Sequence, residues 1–262
     1  LHTLNQVFFS DQNIEDHYRF WFNRLFKNEI HSVRKAYLDI EVDISDIVGD
    51  FPEPGEAPVN VVTYINDGVI NTYILRDPKN SLVQEFENQV ASGEIERDLR
   101  KLIEFAIGDE ERQRKFNIFG YNFNVKFFDQ EIQLLGSLFR QINTEEPDFL
   151  MAWNMAFDIP YLIQRIRNLG YRPESIMCHP DFKLNPKAEY FIDTRMENNY
   201  AERGDYAYIS AYTVYLDQMI QFASRRKGQS AFASFKLNDI GAQICGVQKL
   251  NYHHITTDLA KL

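Results

Sequence analysis

The stretch KAYLDIEVD, residues 35–43, alternates polar and apolar side chains and predicts a β-strand with one buried face. Residues two apart share a face of a strand, so apolar side chains such as Leu38 point into a core. Asp39, Glu41 and Asp43 then line the opposite face. Alternate residues lie roughly 7 Å apart, near enough for the Asp39 and Glu41 carboxylates to converge on one hard cation. A solvated strand face explains the pattern equally well, and we expect Asp43 to be a bystander.

Two β-rich runs follow within residues 59–76 and meet at Asn66, Asp67 and Gly68. The Asp-Gly pair predicts a hairpin turn, so these runs and the first strand form a three-stranded antiparallel meander. Beyond the meander, the apolar pattern predicts alternating helices and strands. The expected elements are a charged helical excursion at 81–116, a strand at 117–128, a helix at 130–142, a buried parallel strand at 148–153, a helix at 159–169 with Gly170 as C-cap, a short strand near 190–193, and helices near 212–224 and 235–244.

This order of elements predicts an α/β fold of the ribonuclease H-like kind, with a mixed sheet of three antiparallel strands and then parallel strands, flanked by helices. A further helix is expected at residues 13–27, before the first strand. The 262 residues can bury one large core or two modest ones.

Composition excludes several classes of protein. No apolar run is long enough to cross a bilayer, and the first residues lack the features of a signal peptide, so we expect a cytoplasmic protein. Cys178 and Cys245 each stand alone, which argues against a disulfide framework or a zinc site and favours buried, small hydrophobic side chains. The net charge of −10 requires local basic residues or metal ions for any nucleic-acid function.

A second polar cluster lies within residues 151–162, MAWNMAFDIPYL. Asn154 and Asp158 come where the buried strand ends and the next helix starts, the place where α/β sheets present their chemistry. Asp158 alone fits the cap of a helix opened by Pro160 equally well. The presence of both clusters in one chain favours a site.

These motifs resemble the proofreading 3′–5′ exonucleases, in which Asp-x-Glu on a first strand is followed by Asn-x-x-Phe-Asp at a strand-to-helix junction. FPEP at 51–54, AWNMAFDIPYLIQRI at 152–166, YLDQMIQF at 215–222 and SFKLNDIGAQICGVQKLNY at 234–252 are similar to the exonuclease domain of family B DNA polymerases, particularly those of T-even-like bacteriophages. The resemblance covers most of residues 37–252.

The resemblance implies two-metal hydrolysis of the 3′-terminal phosphodiester of DNA, with release of nucleoside monophosphates. Asp39, Glu41 and Asp158 would be the catalytic carboxylates and the ligands of two Mg²⁺ or Mn²⁺ ions, which oxygen ligands favour. Asn154 and Phe157 would contact the DNA end. Phe51 would stack on an unpaired base, although a core or loop-anchoring role fits it as well.

The resemblance also implies a larger polymerase. Residues 1–36 would be a lead-in segment from the polymerase N-terminal region, and residues 37–262 the exonuclease domain. The expected partners are a single-stranded or frayed 3′ end of DNA and the palm, fingers and thumb of the same chain. We expect no membrane partner, a monomer, and a location in the host cytoplasm.

The family requires a third motif, Tyr-x-x-x-Asp, on a late helix. The pair Tyr73 and Asp77 has the right spacing, but it precedes the second motif and is rejected. Asp217 resembles a structural Asp of the family rather than this ligand. The last ligand is therefore expected just beyond Leu262, and weak activity is expected without it.

Two alternatives stay open. His253 and Asp258 fit His-x-x-x-x-Asp, the third motif of exonucleases with a His general base, so a stand-alone exonuclease of that type is possible. The second alternative is a non-catalytic DNA-binding or structural module of the same fold. His179 and Asp181 are expected in a turn, and the basic residues 225–227 in a solvated loop.

Overall fold

The structure is a computed structural model of the protein. It describes residues 20–22, 24–26, 32–44, 47, 52–77, 81–107, 120–196, 199–226 and 234–249. The chain divides into two compact units, Leu1–Val33 and Arg34–Leu262. In the first unit, residues 20–22 and 24–25 are helical, as expected for the helix at 13–27. The remainder of that helix lies outside the described residues.

Eight strands are described in the second unit. They are β1 (Lys35–Val42), β2 (Val59–Asn66), β3 (Val69–Leu75), β4 (Asn122–Phe128), β5 (Phe149–Ala152), β6 (Ala188–Phe191), β7 (Tyr206–Ile209) and β8 (Val214–Asp217). Six of them form one sheet in the order β4-β3-β2-β1-β5-β8, and β6 pairs with β7 in a separate antiparallel sheet.

The described helices lie between these strands and after them. They are α1 (Ser81–Ala91), α2 (Glu94–Ile107), α3 (Glu131–Glu145), α4 (Met155–Asn168), α5 (Pro173–Met177), α6 (Gln218–Arg225) and α7 (Leu237–Ile240), with a 3₁₀ turn at Thr194–Met196 and a π-helical turn at Gly241–Cys245. Helices α1 and α2 account for part of the charged region at 81–116.

The six-stranded sheet is mixed, as predicted. Strand β2 is antiparallel to both β1 and β3, whereas β4 is parallel to β3, β5 to β1, and β8 to β5. The predicted hairpin turn between β2 and β3 is confirmed, because Asp67 and Gly68 both have positive φ, 47° and 76°. The α/β fold of the ribonuclease H-like kind is therefore confirmed, with β1 between its antiparallel and parallel parts.

The hydrophobic core lies where α3 and α4 pack on the sheet. From β1 it receives Ala36, Leu38 and Ile40, which are all buried while the residues between them are exposed. Each helix adds an apolar face with fully buried residues, including Leu134 and Ile159. The predicted alternation of β1 is confirmed, so Asp39 and Glu41 share the face that is turned away from the core.

Helix α4 begins earlier than predicted. It starts at Met155 rather than Ile159, so Pro160 lies within the helix and Asp158 in its first turn. Asp158 is thus not the cap of a helix opened by Pro160. Gly170 ends the helix as predicted, with φ of 86° and a hydrogen bond from the Tyr171 N–H to the Ile166 carbonyl at 3.1 Å.

The last third of the chain departs further from prediction. The helix expected at 212–224 is divided, because Val214–Asp217 pairs with β5 as a parallel strand and the helix begins only at Gln218. The helix expected at 235–244 is a short α-helix that continues as a π-helical turn. The strand near 190–193 exists as β6, but it lies outside the main sheet.

Among the described residues, none of the helices combines the length and the apolar character needed to span a membrane.

Candidate functional site

The carboxylates of β1 lie on its exposed face, as the sequence predicts. Asp39 pairs with Thr63 of β2 and Glu41 with Val61, and the register shifts between Glu41 and Val42. Burial by the surrounding chain raises the pKa of Asp39. The pKa of Glu41 is raised by the same cause and then by the negative charge of Asp39. The two groups therefore act on one another electrostatically.

Asp158 joins them from the first turn of α4. Its side chain is only 4% exposed, in contrast to the two carboxylates of β1. Its pKa is raised to about 8, first by burial and then by the charges of Asp39, Asp217 and Glu41. The charges of the neighbouring carboxylates thus add to the effect of burial on this pKa. The three predicted site residues thus come together at the edge of the sheet where β5 ends and α4 begins.

Asn154 forms the turn between β5 and α4. It adopts a left-handed backbone conformation, with φ of 65° and ψ of 52°, which asparagine tolerates better than most residues. Its side chain is exposed, and among the described residues it makes no capping hydrogen bond to α4. The amide is therefore available at the site edge.

Of the two phenylalanines predicted to contact DNA, the structure describes Phe157 but not Phe51. Phe157 is half-buried, and its ring packs against the Tyr161 ring at a centroid distance of 5.2 Å. Phe51 lies outside the described residues. The segment that follows it begins with Pro52, which is buried.

The loop after Pro52 is attached to α4 and α3 by polar contacts. The Tyr161 hydroxyl donates to the Ala57 carbonyl and accepts from the Ala57 N–H, both at 2.9 Å. Arg165 makes two hydrogen bonds to the carboxylate of Glu131, at 2.7 and 2.8 Å, and Glu131 also accepts from the Val59 N–H at 2.8 Å. These contacts join the loop to the helix that carries Asp158.

Two charged residues at the site were not predicted. Asp217, expected to be structural, ends β8 opposite Ala152 and is one of the groups that raise the pKa of Asp158. Its position at the end of a short apolar run could have indicated, from the sequence alone, a carboxylate at the end of a strand. Lys249 lowers the pKa of both Asp39 and Glu41 and thus places a positive charge near them. Nothing in its local sequence pattern indicates this proximity.

The donor chemistry of the site fits a hard divalent cation. Asp39, Glu41 and Asp158 offer only oxygen atoms, and their mutual repulsion is a charge excess that a cation would relieve. Within the described ranges, however, no three His, Cys, Asp or Glu side chains are arranged closely enough to hold a metal ion by themselves. The three carboxylates therefore fit a divalent cation in ligand type and charge, although their side chains do not converge on a single point.

The other residues considered as metal ligands lie away from Asp39, Glu41 and Asp158. His179 and Asp181 form a turn, as predicted, closed by a hydrogen bond from the Phe182 N–H to the His179 carbonyl at 3.1 Å. His179 also lines a cavity of about 630 Å³ that includes none of the predicted site residues. Tyr73 is fully buried in β3, which agrees with its rejection as a ligand.

The remaining residues considered in the sequence are the two cysteines, the basic residue Arg225, and the pair His253 and Asp258. Cys178 is buried, as predicted, but Cys245 is exposed because it lies in the π-helical turn at the surface. Arg225 is exposed at the end of α6. His253 and Asp258 lie outside the described residues.

Comparison with known proteins gives one family. Residues 9–240 match the family described as DNA polymerase family B, exonuclease domain. A search of curated proteins finds no significant match.

Proposed function

Because the chain belongs to the exonuclease domain family of family B DNA polymerases, we propose that it proofreads DNA as a 3′–5′ exonuclease. The reaction is hydrolysis of the 3′-terminal phosphodiester, with release of a nucleoside monophosphate. The observation that carries the proposal is the electrostatic coupling of Asp39, Glu41 and Asp158, which two separate elements bring to one edge of the sheet.

Asp39, Glu41 and Asp158 are proposed as the catalytic carboxylates, which hold Mg²⁺ or Mn²⁺. Two such ions, held by these carboxylates, would supply a water activated for in-line attack and positive charge to stabilise the leaving 3′-oxygen. Asp158, the most buried of the three, is fixed by the first turn of α4. Asp39 and Glu41 approach it from the rigid central strand, so their spacing does not depend on a loop.

The DNA end is proposed to lie along the turn between β5 and α4. Asn154 has an exposed amide there and orients the terminal nucleotide. Phe157 supports this turn from its half-buried position, and Phe51 stacks on an unpaired base. Lys249 adds positive charge near Asp39, which a phosphate needs on a chain with a net charge of −10.

The wider setting is also proposed. The domain is part of a phage-like polymerase that acts in the host cytoplasm as a monomer, together with the palm, fingers and thumb. Residues 1–36 are its lead-in segment and residues 37–262 the exonuclease domain. Family membership supports the DNA substrate and the polymerase context.

The test is shortening of a single-stranded DNA labelled at its 5′ end, in the presence of Mg²⁺ or Mn²⁺. We expect Asp39→Ala and Asp158→Asn to lower the rate by roughly a hundredfold or more, because each removes a proposed metal ligand. Asp43→Asn is the matched control, since Asp43 follows β1 and is expected to be a bystander. Equal rates for the unchanged protein and both site variants would disprove the catalytic assignment.

The same experiment separates the alternatives. A non-catalytic module would bind the labelled DNA, as measured by fluorescence anisotropy, without shortening it in either metal. An exonuclease with a His base would lose its activity on His253→Ala. The family match favours neither alternative.

A further inference from the structure

Asp217 lies where two helices begin side by side. Strands β5 and β8 are parallel neighbours, and Ala152, the last residue of β5, pairs with Asp217, the last residue of β8. Helix α6 starts directly after Asp217, and α4 starts at Met155, just beyond the end of β5. The N-termini of both helices therefore emerge from one edge of the sheet, with Asp217 between them.

One oxygen of Asp217 caps its own helix. Oδ1 accepts hydrogen bonds from the Met219 N–H at 2.8 Å and the Ile220 N–H at 3.2 Å, the usual contacts of an N-cap carboxylate. Asp217 is only 7% exposed, so this carboxylate is nearly removed from water.

The other oxygen is not used by α6. Oδ2 is buried and has no hydrogen-bond partner within the described part of the chain. Burial raises the pKa of Asp217, and the N–H groups at the starts of both helices, that of Met155 among them, oppose this shift. A buried, unsatisfied carboxylate oxygen is costly unless a donor or positive partial charge lies close to it. Oδ2 accepts no hydrogen bond by geometric criteria, but the Met155 N–H at the start of α4 lowers the pKa of Asp217 and so supplies positive partial charge near this carboxylate.

In the described part of the chain, helix α4 has no side-chain cap from its own N-cap residue. Its N-cap residue, Asn154, is in the left-handed conformation and makes no side-chain hydrogen bond to the helix among the described residues. The first N–H groups of a helix need acceptors, and they carry a positive partial charge that favours a nearby carboxylate. Asp217 is a carboxylate at the end of the strand next to β5, and its pKa is lowered by the Met155 N–H.

We propose that Asp217 is a positioning residue, whose carboxylate caps α6 with one oxygen and holds the start of α4 with the other. Through Met155 it fixes the turn at Asn154 and the first turn of α4, and so sets where Asp158 stands relative to Asp39. This inference rests on the proposed exonuclease function for its effect on catalysis. The contact to α4 itself is independent of that function.

Asp217→Asn separates the two contacts. Asparagine is as good an N-cap as aspartate, so the cap of α6 is retained, while the second carboxylate oxygen is replaced by an amide that cannot accept from Met155. Amide hydrogen exchange followed by NMR should show the Met155 amide exchanging roughly fivefold faster or more, with Met219 and Ile220 unchanged. When shortening of the 5′-labelled single-stranded DNA is measured, kcat should fall by roughly tenfold or more while KM for DNA stays the same.

Ala223→Gly is the control for general destabilisation. Ala223 is buried on α6, so glycine there weakens the same helix without touching Asp217 or α4. We expect it to lower the melting temperature and leave both the Met155 exchange rate and kcat unchanged. Unchanged Met155 exchange in Asp217→Asn would overturn the proposal, and so would an unchanged kcat in a protein that Asp39→Ala inactivates. If Asp39→Ala has no effect, the proposed function fails, and the exchange result alone decides the role of Asp217.

Discussion

Asp158 combines burial with a ring of like charges, and this sets how its proton affects stability. Its pKa in the folded protein is about 8, against an ordinary value of 3.8, so between these two values the folded chain holds a proton that the unfolded chain has lost. The folded state therefore binds more protons, and stability falls as the pH rises through this window. Above a pH of about 8 the contribution levels off.

The corresponding prediction concerns Asp158→Asn in the absence of divalent ions. The variant cannot take up this proton, so its free energy of unfolding should fall less steeply than that of the unchanged protein between about pH 5 and about pH 8. The difference should approach roughly 1 kcal/mol for each pH unit. Urea unfolding at the two pH values measures it. Parallel pH profiles for the two proteins would contradict the buried, charge-coupled position of Asp158.

At the scale of an element, the loop that follows Pro52 depends on a close backbone approach at Gly55. Gly55 has φ of 76°, and a Cβ atom there would lie 2.7 Å from the backbone nitrogen of Arg165 in α4. Its carbonyl also accepts from the Asn168 side chain at 2.9 Å. The loop and the helix can pack this closely only because residue 55 lacks a side chain.

Gly55→Ala should therefore destabilise the protein through both backbone strain and a clash with α4. Gly93 is the matched control, because its φ is 74° and a Cβ atom there would meet nothing within 4 Å among the described residues. Gly93→Ala should cost about 1 kcal/mol from the left-handed conformation alone. We expect Gly55→Ala to lose roughly 1–3 kcal/mol more than this in urea unfolding, and equal losses would show that the loop can move away.

The same scale shows what sequence can predict. The alternation in β1 correctly predicted which residues are buried, because a strand with one covered face must alternate. The hairpin at Asp67 and Gly68 was equally predictable, since few residues tolerate positive φ. The strand β8 was missed because it is short and directly precedes a helix. Only pairing with β5 makes Val214–Asp217 a strand, and pairing partners are not visible in a local pattern.

The candidate site was predictable to a similar extent. Asp39, Glu41 and Asp158 stood out because their two clusters occur together in one chain, whereas each cluster alone has an ordinary structural explanation. Lys249 did not, because it lies near the other groups only through the tertiary fold. Asp217 was interpreted as structural, and its closeness to Asp158 became visible only in the fold. The start of α4 at Met155 also required the structure, since Pro160 suggested a later beginning.

At the scale of the whole molecule, the acidic residues behind the net charge of −10 include Asp39, Glu41 and Asp158 at one edge of the sheet. A divalent ion that binds this edge in the folded protein alone should raise the melting temperature. At an Mn²⁺ concentration about a hundredfold above Kd, the stabilisation is about 2.7 kcal/mol, which corresponds to an increase in melting temperature of roughly 5–10 °C. Differential scanning fluorimetry with and without Mn²⁺ measures this shift.

The variants show where the ion binds. Asp39→Ala and Asp158→Asn should lose most of the shift, and Asp43→Asn should retain it. A shift that persists in both site variants would place the stabilising ion elsewhere on the acidic surface.

The position of β1 at the centre of the sheet also has a consequence for the order of folding. Its antiparallel partner β2 is close in sequence, so the meander of β1, β2 and β3 can form early from local contacts. Its parallel partner β5 and the outer strand β8 are far along the chain, and their pairing requires long loops to close first. We therefore expect the carboxylates of β1 to be in place before Asp158 and Asp217 approach them, and the repulsion among these groups to arise late in folding.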